Sequence, residues 1–307
     1  MKSIKLGQSN LQVPMIAVGC MRMKNLKKKE AEHFVQTALE NGANFFDHAD
    51  VYGRGTSEEI FADAINMNDT VREKIILQSK CGIRKVENTF DFSKEHILES
   101  VDGILKRLKT DYLDVLLLHR PDALVEPEEV AEALDKLYSS GKVRNFGVSN
   151  HNPMQIQLLQ KSLNQPIVAN QLQLSITHAT MISSGIHVNM LDESAVNRDG
   201  SILDFCRLNN ITIQPWSPFQ YGFFEGVFLN NEKFPELNAK IDEIAAKYEV
   251  ANTTIALSWI LRHPAHMQPV TGTMNPERLK DCIKAADIYL TRQEWYDIYR
   301  AAGNTLP

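Results

Sequence analysis

The sequence has few cysteines, and none of them forms a CxxC pair. The four thiols, Cys20, Cys81, Cys206 and Cys282, are scattered through 307 residues. They predict free thiols in a reducing compartment, not a disulfide framework or a zinc site. No apolar run approaches the roughly 20 residues that cross a bilayer. The opening segment MKSIKLGQSNLQVP lacks the apolar core of a signal peptide, so we expect a cytoplasmic protein.

The chain also lacks a strong charge of one sign. Its formal net charge is −5, and its 33 basic and 38 acidic residues are interspersed. Nucleic acids and anionic membranes are bound by basic stripes, so we expect neither partner. The hydrophobic share of 43% and the charged share of 23% are ordinary for a globular chain with a large core. The oligomeric state stays open, and a monomer is compatible with this composition.

What the sequence does contain is an alternation of strand-like and helix-like segments. Eight apolar runs of strand length occur at 16–20, 44–49, 74–80, 113–119, 143–149, 167–172, 211–216 and 267–272. They are apolar on both faces, as buried parallel strands are. Amphipathic helical patterns lie between them, such as residues 27–42, which end at a C-cap glycine. We predict one α/β domain over residues 1–307, a (β/α)8 TIM barrel, with an open doubly wound sheet as the alternative.

Three segments depart from this alternation. Residues 3–14 predict a hairpin that caps the N-terminal end of the barrel. Residues 173–200 show no sustained period, so they predict a long loop that overhangs the C-terminal face, where barrel enzymes keep their sites. This loop and residues 219–235 are expected to shape the substrate pocket. The helix-like residues 291–303 run almost to the chain end, which indicates a fairly open pocket.

Four side chains at the ends of predicted strands can together protonate a carbonyl group. Asp47 and Tyr52 follow the second run, Lys80 ends the third, and His119 ends the fourth. A nearby ammonium favours phenolate and makes a phenol a better proton donor. Lys80 can supply that charge, Asp47 can orient Lys80, and His119 can donate a hydrogen bond to the substrate oxygen. No side chain supplies a hydride, so a nicotinamide cofactor must bring it.

The segments around these residues resemble the aldo-keto reductases. The matching stretches are DHADVYG, LKRLKTDYLDVLLLHRPD, GKVRNFGVSNHNP and PVTGTMNPERL. The resemblance covers nearly the whole chain and implies a (β/α)8 barrel that binds extended NADPH without a Rossmann domain, with NADH also possible. It implies that Tyr52 is the general acid and base, supported by Asp47, Lys80 and His119. The expected function is NADPH-dependent reduction of a small-molecule aldehyde or ketone.

The same resemblance implies which residues bind the cofactor. Ser149, Asn150 and Gln171 match the residues that hold the carboxamide, and Trp216 stands where family members often stack a tyrosine on the nicotinamide. The other cofactor positions are Gly19, Cys20 and Met21 at the first turn, Asp47, then Ser217, Pro218, Phe219 and Gln220 at the pyrophosphate, and Gly272, Thr273, Asn275 and Arg278 at the 2′-phosphate.

Two positions depart from the family pattern. Gly272 stands where some branches carry a phosphate-binding lysine, which weakens the preference for NADPH over NADH. Arg278 is then the expected main cation, and Lys280 is expected to point away from the phosphate. Arg120 follows the catalytic histidine where many members have an aromatic residue. It either adds a cation near the mouth of the site, favouring an anionic or polar substrate, or forms a helix-facing ion pair.

Two other functions have to be considered. Potassium-channel β subunits share the implied fold, so a cofactor-binding regulatory subunit with weak or no physiological reductase activity is the alternative. A metal-dependent hydrolase that uses His48 and His119 is disfavoured. His48 directly follows Asp47, and neighbouring residues on a strand point to opposite faces, so the two side chains should not share a site. The sequence also lacks a paired-histidine motif at the first strand, so we expect no metal and predict that His48 packs or forms a hydrogen bond.

Overall fold

A parallel sheet of eight strands surrounded by helices forms the body of the molecule. A computed structural model of the chain describes residues 2–86, 89–196 and 200–304. The strands, in chain order, are β1 Ser3–Lys5, β2 Gln12–Pro14, β3 Ala17–Gly19, β4 Phe45–Asp47, β5 Ile76–Cys81, β6 Ile83–Arg84, β7 Thr89–Phe90, β8 Val115–Leu118, β9 Phe146–Ser149, β10 Ile167–Gln173, β11 Thr212–Trp216, β12 Gln220–Tyr221, β13 Gly226–Val227 and β14 Val270–Thr271.

The helices lie mainly between the strands of the large sheet. In chain order they are α1 Lys28–Glu40, α2 Thr56–Ala64, α3 Asp69–Arg72, α4 Lys94–Leu108, α5 Pro127–Ser139, α6 Pro153–Gln160, α7 Thr180–Ile186, α8 Ile202–Leu208, α9 Pro235–Tyr248, α10 Asn252–Leu261, α11 Pro276–Lys284 and α12 Arg292–Ala301. No helix within the described ranges combines the length and the apolarity needed to cross a membrane.

The large sheet closes into a barrel. Its strand order is β11-β10-β9-β8-β5-β4-β3-β14, and every neighbouring pair is parallel. The backbone N–H of Gln268, just before β14, donates to Ile213 O on β11 at 3.0 Å and joins the two ends of the sheet. The predicted (β/α)8 barrel is therefore confirmed, and each of the eight predicted runs overlaps a barrel strand, with β5 and β10 each ending one residue beyond its run.

The N-terminal hairpin caps the bottom of the barrel, as predicted. Strands β1 and β2 pair antiparallel. Leu6 and Val13 pack into an apolar cluster with inward-facing barrel residues such as Phe45 and Leu117. Gly7 has a φ of 51°, and its N–H donates to Thr212 Oγ1 at 2.8 Å. A Cβ there would lie 2.3 Å from a β10 carbonyl oxygen, so the close approach requires glycine.

The prediction of a long loop at residues 173–200 is wrong in two respects. Residues Thr180–Ile186 form helix α7, whose Ser183 hydroxyl hydrogen-bonds the Tyr299 hydroxyl of α12 at 2.7 Å. The helix is too short for its period to stand out in the sequence. No residue of 173–196 or of 200 lines the cavity described below, so this segment does not form its wall. Residues 197–199 lie outside the described residues.

A buried ion pair joins α3 to the start of β8 at the lower part of the barrel. Asp114 Oδ2, just before β8, accepts hydrogen bonds from Arg72 Nη2 at 2.7 Å and from the Leu77 N–H at 2.9 Å. Both charged side chains are only 5% exposed. The Asp114 carboxylate thus balances the charge of Arg72. It also accepts the hydrogen bond of a β5 backbone N–H that would otherwise need a carbonyl partner.

We expect Asp114→Asn to destabilise the protein by about 3 kcal/mol or more, because Arg72 would lose its buried counter-charge. Urea unfolding of the variant and of the wild type measures this change. The matched control is Asp63→Asn, whose carboxylate pairs with Lys109 while both side chains are more than half exposed (57% and 58%). Asp63→Asn should lower the free energy of unfolding by less than about 1 kcal/mol. Equal losses in the two variants would contradict a special role for the buried pair.

Candidate active site

A cavity of about 740 Å³ opens at the C-terminal ends of the barrel strands. Its volume is in the range of small-molecule sites. Nearly all the predicted site residues line it: Gly19, Met21, Asp47, Tyr52, His119, Ser149, Asn150, Gln171, Trp216, Ser217, Pro218, Phe219, Gln220, Gly272, Thr273, Asn275 and Arg278. Two predicted residues do not. Lys80 lies fully buried behind Asp47 and Tyr52, and Cys20 is buried with its thiol directed at Val18 O.

The Lys80 ammonium is the centre of the site. Its Nζ lies 2.7 and 2.8 Å from the two Asp47 oxygens, 2.7 Å from His48 O and 3.2 Å from the Tyr52 hydroxyl. Lys80 is 0% and Asp47 2% exposed. Burial alone would lower the pKa of Lys80, but the Asp47 and Tyr52 contacts outweigh it and leave that pKa raised. Lys80 is therefore charged at neutral pH.

The pKa of Tyr52 is raised, although the sequence led us to expect the ammonium to lower it. The Lys80 charge and hydrogen bond do act in the expected direction. Burial is the larger effect, and the nearby Asp47 carboxylate adds to it. The phenol consequently stays protonated at neutral pH, which is the form that a proton donor needs.

His119 is held as a neutral imidazole beside the phenol. Its ring meets the Tyr52 ring edge to face, with the centroids 6.0 Å apart. Burial, then the Lys80 charge and then the Arg120 charge lower the pKa of His119 well below its usual value. A neutral imidazole carries one N–H, and it can donate to an oxygen in the cavity without adding a positive charge there.

The turn that carries Tyr52 is shaped by left-handed backbone and a second carboxylate. Gly55, just before α2, has a φ of 89°, and a Cβ there would lie 2.5 Å from Arg107 Cδ. The Arg107 side chain donates to Glu58 Oε2 at 2.7 Å, and Glu58 Oε1 accepts from Ser79 of β5 at 2.8 Å. This network ties the turn after β4 to α4 and β5, and so positions the phenol.

A row of buried amides supports Asp47 from inside the barrel. Gln78 Nε2 donates to Asp47 Oδ1 at 2.7 Å, and Gln171 Nε2 reaches the same oxygen at 3.2 Å. Gln78 and Gln214 exchange two hydrogen bonds of 2.9 and 3.1 Å, and Gln214 donates onward to Gln268 at 2.8 Å. The row supplies hydrogen-bond partners both to the Asp47 carboxylate and to the buried amide groups themselves. Sequence reasoning missed it, because isolated glutamines in separate strands carry no local pattern.

One end of the cavity presents amides beside an indole. Asn150 donates through Nδ2 to Ser149 Oγ at 2.8 Å, and its Oδ1 accepts from Trp216 Nε1 at 3.2 Å. The hydroxyl of Ser149 donates to Gln171 O at 2.9 Å. Phe224 stacks on the Trp216 ring with a centroid separation of 6.0 Å. The predicted carboxamide residues and the predicted stacking residue are thus neighbours in space.

The other end presents two guanidinium groups near the start of α11. Arg278 lines the cavity, and its N–H is capped by Asn275 Oδ1 at 3.1 Å. Arg22, which the sequence analysis did not select, donates from Nη1 to Gly272 O at 3.1 Å. That nitrogen lies 2.7 Å from where a Gly272 Cβ would be. Lys280 does not line the cavity and pairs with Glu277 at 2.9 Å.

His48 packs in the core and does not face the cavity. Its ring meets the Phe61 ring edge to face at 4.6 Å, and burial followed by the Lys80 charge lowers its pKa to about 3. Neither ring nitrogen has a hydrogen-bond partner. Within the described ranges, no three histidine, cysteine or acidic side chains form a group that could hold a metal ion.

Several cavity residues come from segments that the sequence analysis left without a site. These are Ile83 of β6 and Asn252 and Thr253 at the start of α10, which line the cavity. Residues 219–235, among them Phe224, contribute to the wall as expected. No local signal marked the three unexpected residues, because only tertiary packing brings them to the cavity.

Comparisons with known proteins agree with this geometry. Residues 15–302 match the model of the Aldo/keto reductase family. The chain is 34% identical to the uncharacterized oxidoreductase YcsN of Bacillus subtilis, with 100% of both chains covered. It is 31% identical to a 6-dehydroglucose reductase of Agrobacterium fabrum, with 95% of each covered. The crystal structure of the thermostable aldo-keto reductase Tm1743 with the inhibitor epalrestat superposes with a TM-score of 0.79 at 25% identity, covering 98% of this chain and 100% of that one.

The family match spans the strands, the catalytic turn and the segment that contains α11. The two relatives align over 100% and 95% of their lengths, so the likeness is not confined to a shared barrel core. The chain belongs to the aldo/keto reductase family, and it is an NAD(P)H-dependent oxidoreductase that acts on carbonyl or alcohol groups.

Proposed function

We propose that this protein, as one barrel domain over residues 1–307, reduces aldehydes or ketones with NADPH and uses Tyr52 as the general acid. One observation carries the proposal. A protonated phenol lines the cavity 3.2 Å from a fully buried ammonium, which can offset the charge left when the phenol gives up its proton. Such a pair suits proton transfer to a carbonyl oxygen.

The residues around the cavity fit a nicotinamide dinucleotide. Arg22 and Arg278 place two cations at one end, beside the capped N-terminus of α11, which is an arrangement that favours phosphate. Ser149 and Asn150 place polar side chains at the other end, beside the flat face of Trp216. Phe224 covers one face of that indole, so a nicotinamide would stack on the opposite face.

Bound nicotinamide supplies the hydride. The protein's own part is to bind the carbonyl oxygen, to polarise it and to protonate it. His119 donates a hydrogen bond to that oxygen from its neutral ring, and Tyr52 delivers the proton as negative charge develops. Lys80 stabilises the phenolate that forms. Asp47 and the glutamine row keep Lys80 charged and in place, so the electrostatic support exists before the substrate arrives.

Arg22 changes the expectation for phosphate recognition. Its guanidinium occupies the space that a side chain at Gly272 would take. We assign Arg22 to the pyrophosphate, between the nicotinamide end and the 2′-phosphate end, so it fills the space of the lysine that other branches carry without restoring its contact with the 2′-phosphate. Asn275 is committed to capping α11 through its Oδ1, so its main contribution is to fix the helix start.

The alternative is a cofactor-binding regulatory subunit with the same fold and little reductase activity. The site geometry is common to both functions. The relative from Agrobacterium fabrum is named a reductase, which favours the enzyme. An assay of carbonyl-dependent NADPH oxidation by purified protein separates the two, because a regulatory subunit would bind NADPH without turning it over on a panel of aldehydes.

Tyr52→Phe should bind NADPH almost normally and lose about 10²–10⁴-fold in reductase turnover, because the ring remains while the proton donor is removed. Single-turnover reduction of an aldehyde measures the chemical step. Cofactor affinity, measured by calorimetry, is the control for folding. A variant that kept more than about a tenth of wild-type turnover would show that another group donates the proton.

Lys80→Met should impair turnover severely and shift the basic limb of the pH–rate profile to higher pH. The Lys80 charge lowers the pKa of Tyr52, so its loss lets that pKa rise further, and the phenol stays protonated to higher pH. The profile of single-turnover rates in wild type and variant tests this. A basic limb that did not move would show that Lys80 does not tune Tyr52.

Arg278→Ala should weaken NADPH binding roughly tenfold or more and leave NADH nearly unchanged, because only NADPH carries the 2′-phosphate. Arg22→Ala should weaken both cofactors by a similar factor, because both carry the pyrophosphate. Dissociation constants come from calorimetry and from quenching of Trp216 emission. The stacked Trp259 and Trp295 lie outside the cavity and should contribute little to the quench.

Two further variants serve as controls for these cations. Lys280→Ala should leave both affinities unchanged, because that side chain does not line the cavity. Adding Gly272→Lys to Arg22→Ala should restore much of the lost affinity, since the new lysine takes the vacated space. Equal losses of NADPH and NADH in Arg278→Ala would mean that the 2′-phosphate contact has been misassigned.

A further inference from the structure

Arg120 is a half-buried cation that faces the cavity without a counter-charge. It follows β8 directly after His119 and lines the cavity. The residues that the structure describes offer it no carboxylate within ion-pair distance and no hydrogen-bond acceptor. Its closest aromatic contact is Trp216, whose ring centroid lies 5.9 Å from the guanidinium carbon. The helix-facing ion pair that the sequence left open is therefore not formed within the described residues.

The charge balance of the cavity leaves Arg120 unmatched at the catalytic end. Among the described residues, the charged ones that line the cavity are Arg22, Asp47, Arg120 and Arg278. Asp47 is already paired with Lys80. Arg22 and Arg278 lie at the phosphate end. The positive charge beside His119 and Tyr52 thus has no carboxylate partner in the part of the chain that the structure describes.

Arg120 is also close enough to the catalytic groups to sense them. Its charge lowers the pKa of His119, and its own pKa is lowered by burial and raised in part by Tyr52. Because Arg120 directly follows His119 and lines the same cavity as Tyr52, one small molecule can present a carbonyl to Tyr52 and His119 and a second group to Arg120. Ile83 and Phe224 add apolar wall to the same cavity, which suits a short carbon skeleton between the two polar ends.

We propose, resting on the reductase function above, that the substrate is a carbonyl compound with an anionic oxygen group, and that Arg120 binds this group. A guanidinium matches a carboxylate or a phosphate through two parallel hydrogen bonds. A half-buried guanidinium without a partner costs free energy in the free protein, and an anionic ligand offsets that cost. Arg120 is thus the specificity-determining residue that selects a carbonyl acid or a phosphorylated aldehyde over a neutral one.

The test compares pairs of substrates that share a carbon skeleton, one member with an anionic group and one without. Succinic semialdehyde is set against its methyl ester, and glyceraldehyde 3-phosphate against glyceraldehyde, each at saturating NADPH. Wild type should show at least a tenfold higher kcat/KM for one anionic member over its neutral counterpart, with most of the difference in KM. The two arms distinguish a carboxylate from a phosphate ligand.

Arg120→Met removes the charge and keeps an unbranched side chain. It should abolish the preference by lowering kcat/KM for the anionic substrate about tenfold or more, while the neutral substrate changes less than about threefold. Arg120→Lys should retain part of the preference, since the charge remains without the bidentate geometry. Lys280→Met, a cation lost outside the cavity, should behave as wild type. NADPH affinity should be the same in all four proteins.

A second readout does not depend on turnover. In calorimetric titrations of the NADP⁺-loaded protein, succinate should bind more tightly than succinamide to wild type. The two ligands should bind to Arg120→Met with equal affinity. The inference is overturned if wild type reduces neutral aldehydes without any preference for the anionic ones. It is also overturned if Arg120→Met lowers kcat/KM equally for anionic and neutral substrates, because Arg120 would then act through Tyr52. If the wild type binds NADPH but reduces none of the aldehydes, the reductase function is overturned as well.

Discussion

The buried ion pair between Lys80 and Asp47 is the interaction on which the rest of the site depends. Two fully desolvated charges are costly unless every hydrogen-bonding position around them is filled. Here the ammonium contacts Asp47, His48 O and Tyr52, while the carboxylate also accepts from Gln78 and Gln171. The pair requires β4 and β5 to be neighbours in register, which the barrel provides. Removing one partner would leave the other charge without compensation in the core.

The field of that pair determines the protonation of its neighbours. Burial and the Lys80 charge together keep His119 neutral, whereas burial and Asp47 keep Tyr52 protonated despite the ammonium. The site therefore holds a proton donor and a neutral hydrogen-bond donor side by side at neutral pH. Three further cations line the same cavity, Arg120 next to His119 and Arg22 and Arg278 near the start of α11, and none of them has a carboxylate partner among the described residues. This separation supports the proposal that a dinucleotide and an anionic substrate bind at different places in one cavity.

Much of the fold could be predicted because its signals are local and repeated. Each barrel strand overlaps an apolar run that the sequence displays, and buried parallel strands are apolar on both faces. In the amphipathic pattern at 27–42, Ala31, Phe34, Val35 and Ala38 recur at helical spacing and are buried in α1. The segment at 173–200 was misread because a helix as short as α7 shows no clear period. Arg22 was missed for another reason, since its partner Gly272 is distant in sequence and only the closed barrel joins β3 to β14.

Sequence alone was enough to predict that Asp47, Tyr52, Lys80 and His119 would lie close together, because these residues follow successive apolar runs whose strand ends meet at one face of a parallel barrel. It also determined the family and the parallel barrel. Tertiary structure alone decided the net direction of the Tyr52 pKa, because burial and the distances to two opposite charges compete there. It likewise decided that Arg120 meets no carboxylate among the described residues and that Arg22 fills the space beside Gly272. Charge interactions depend on distance and desolvation, and neither quantity is written in the order of the residues.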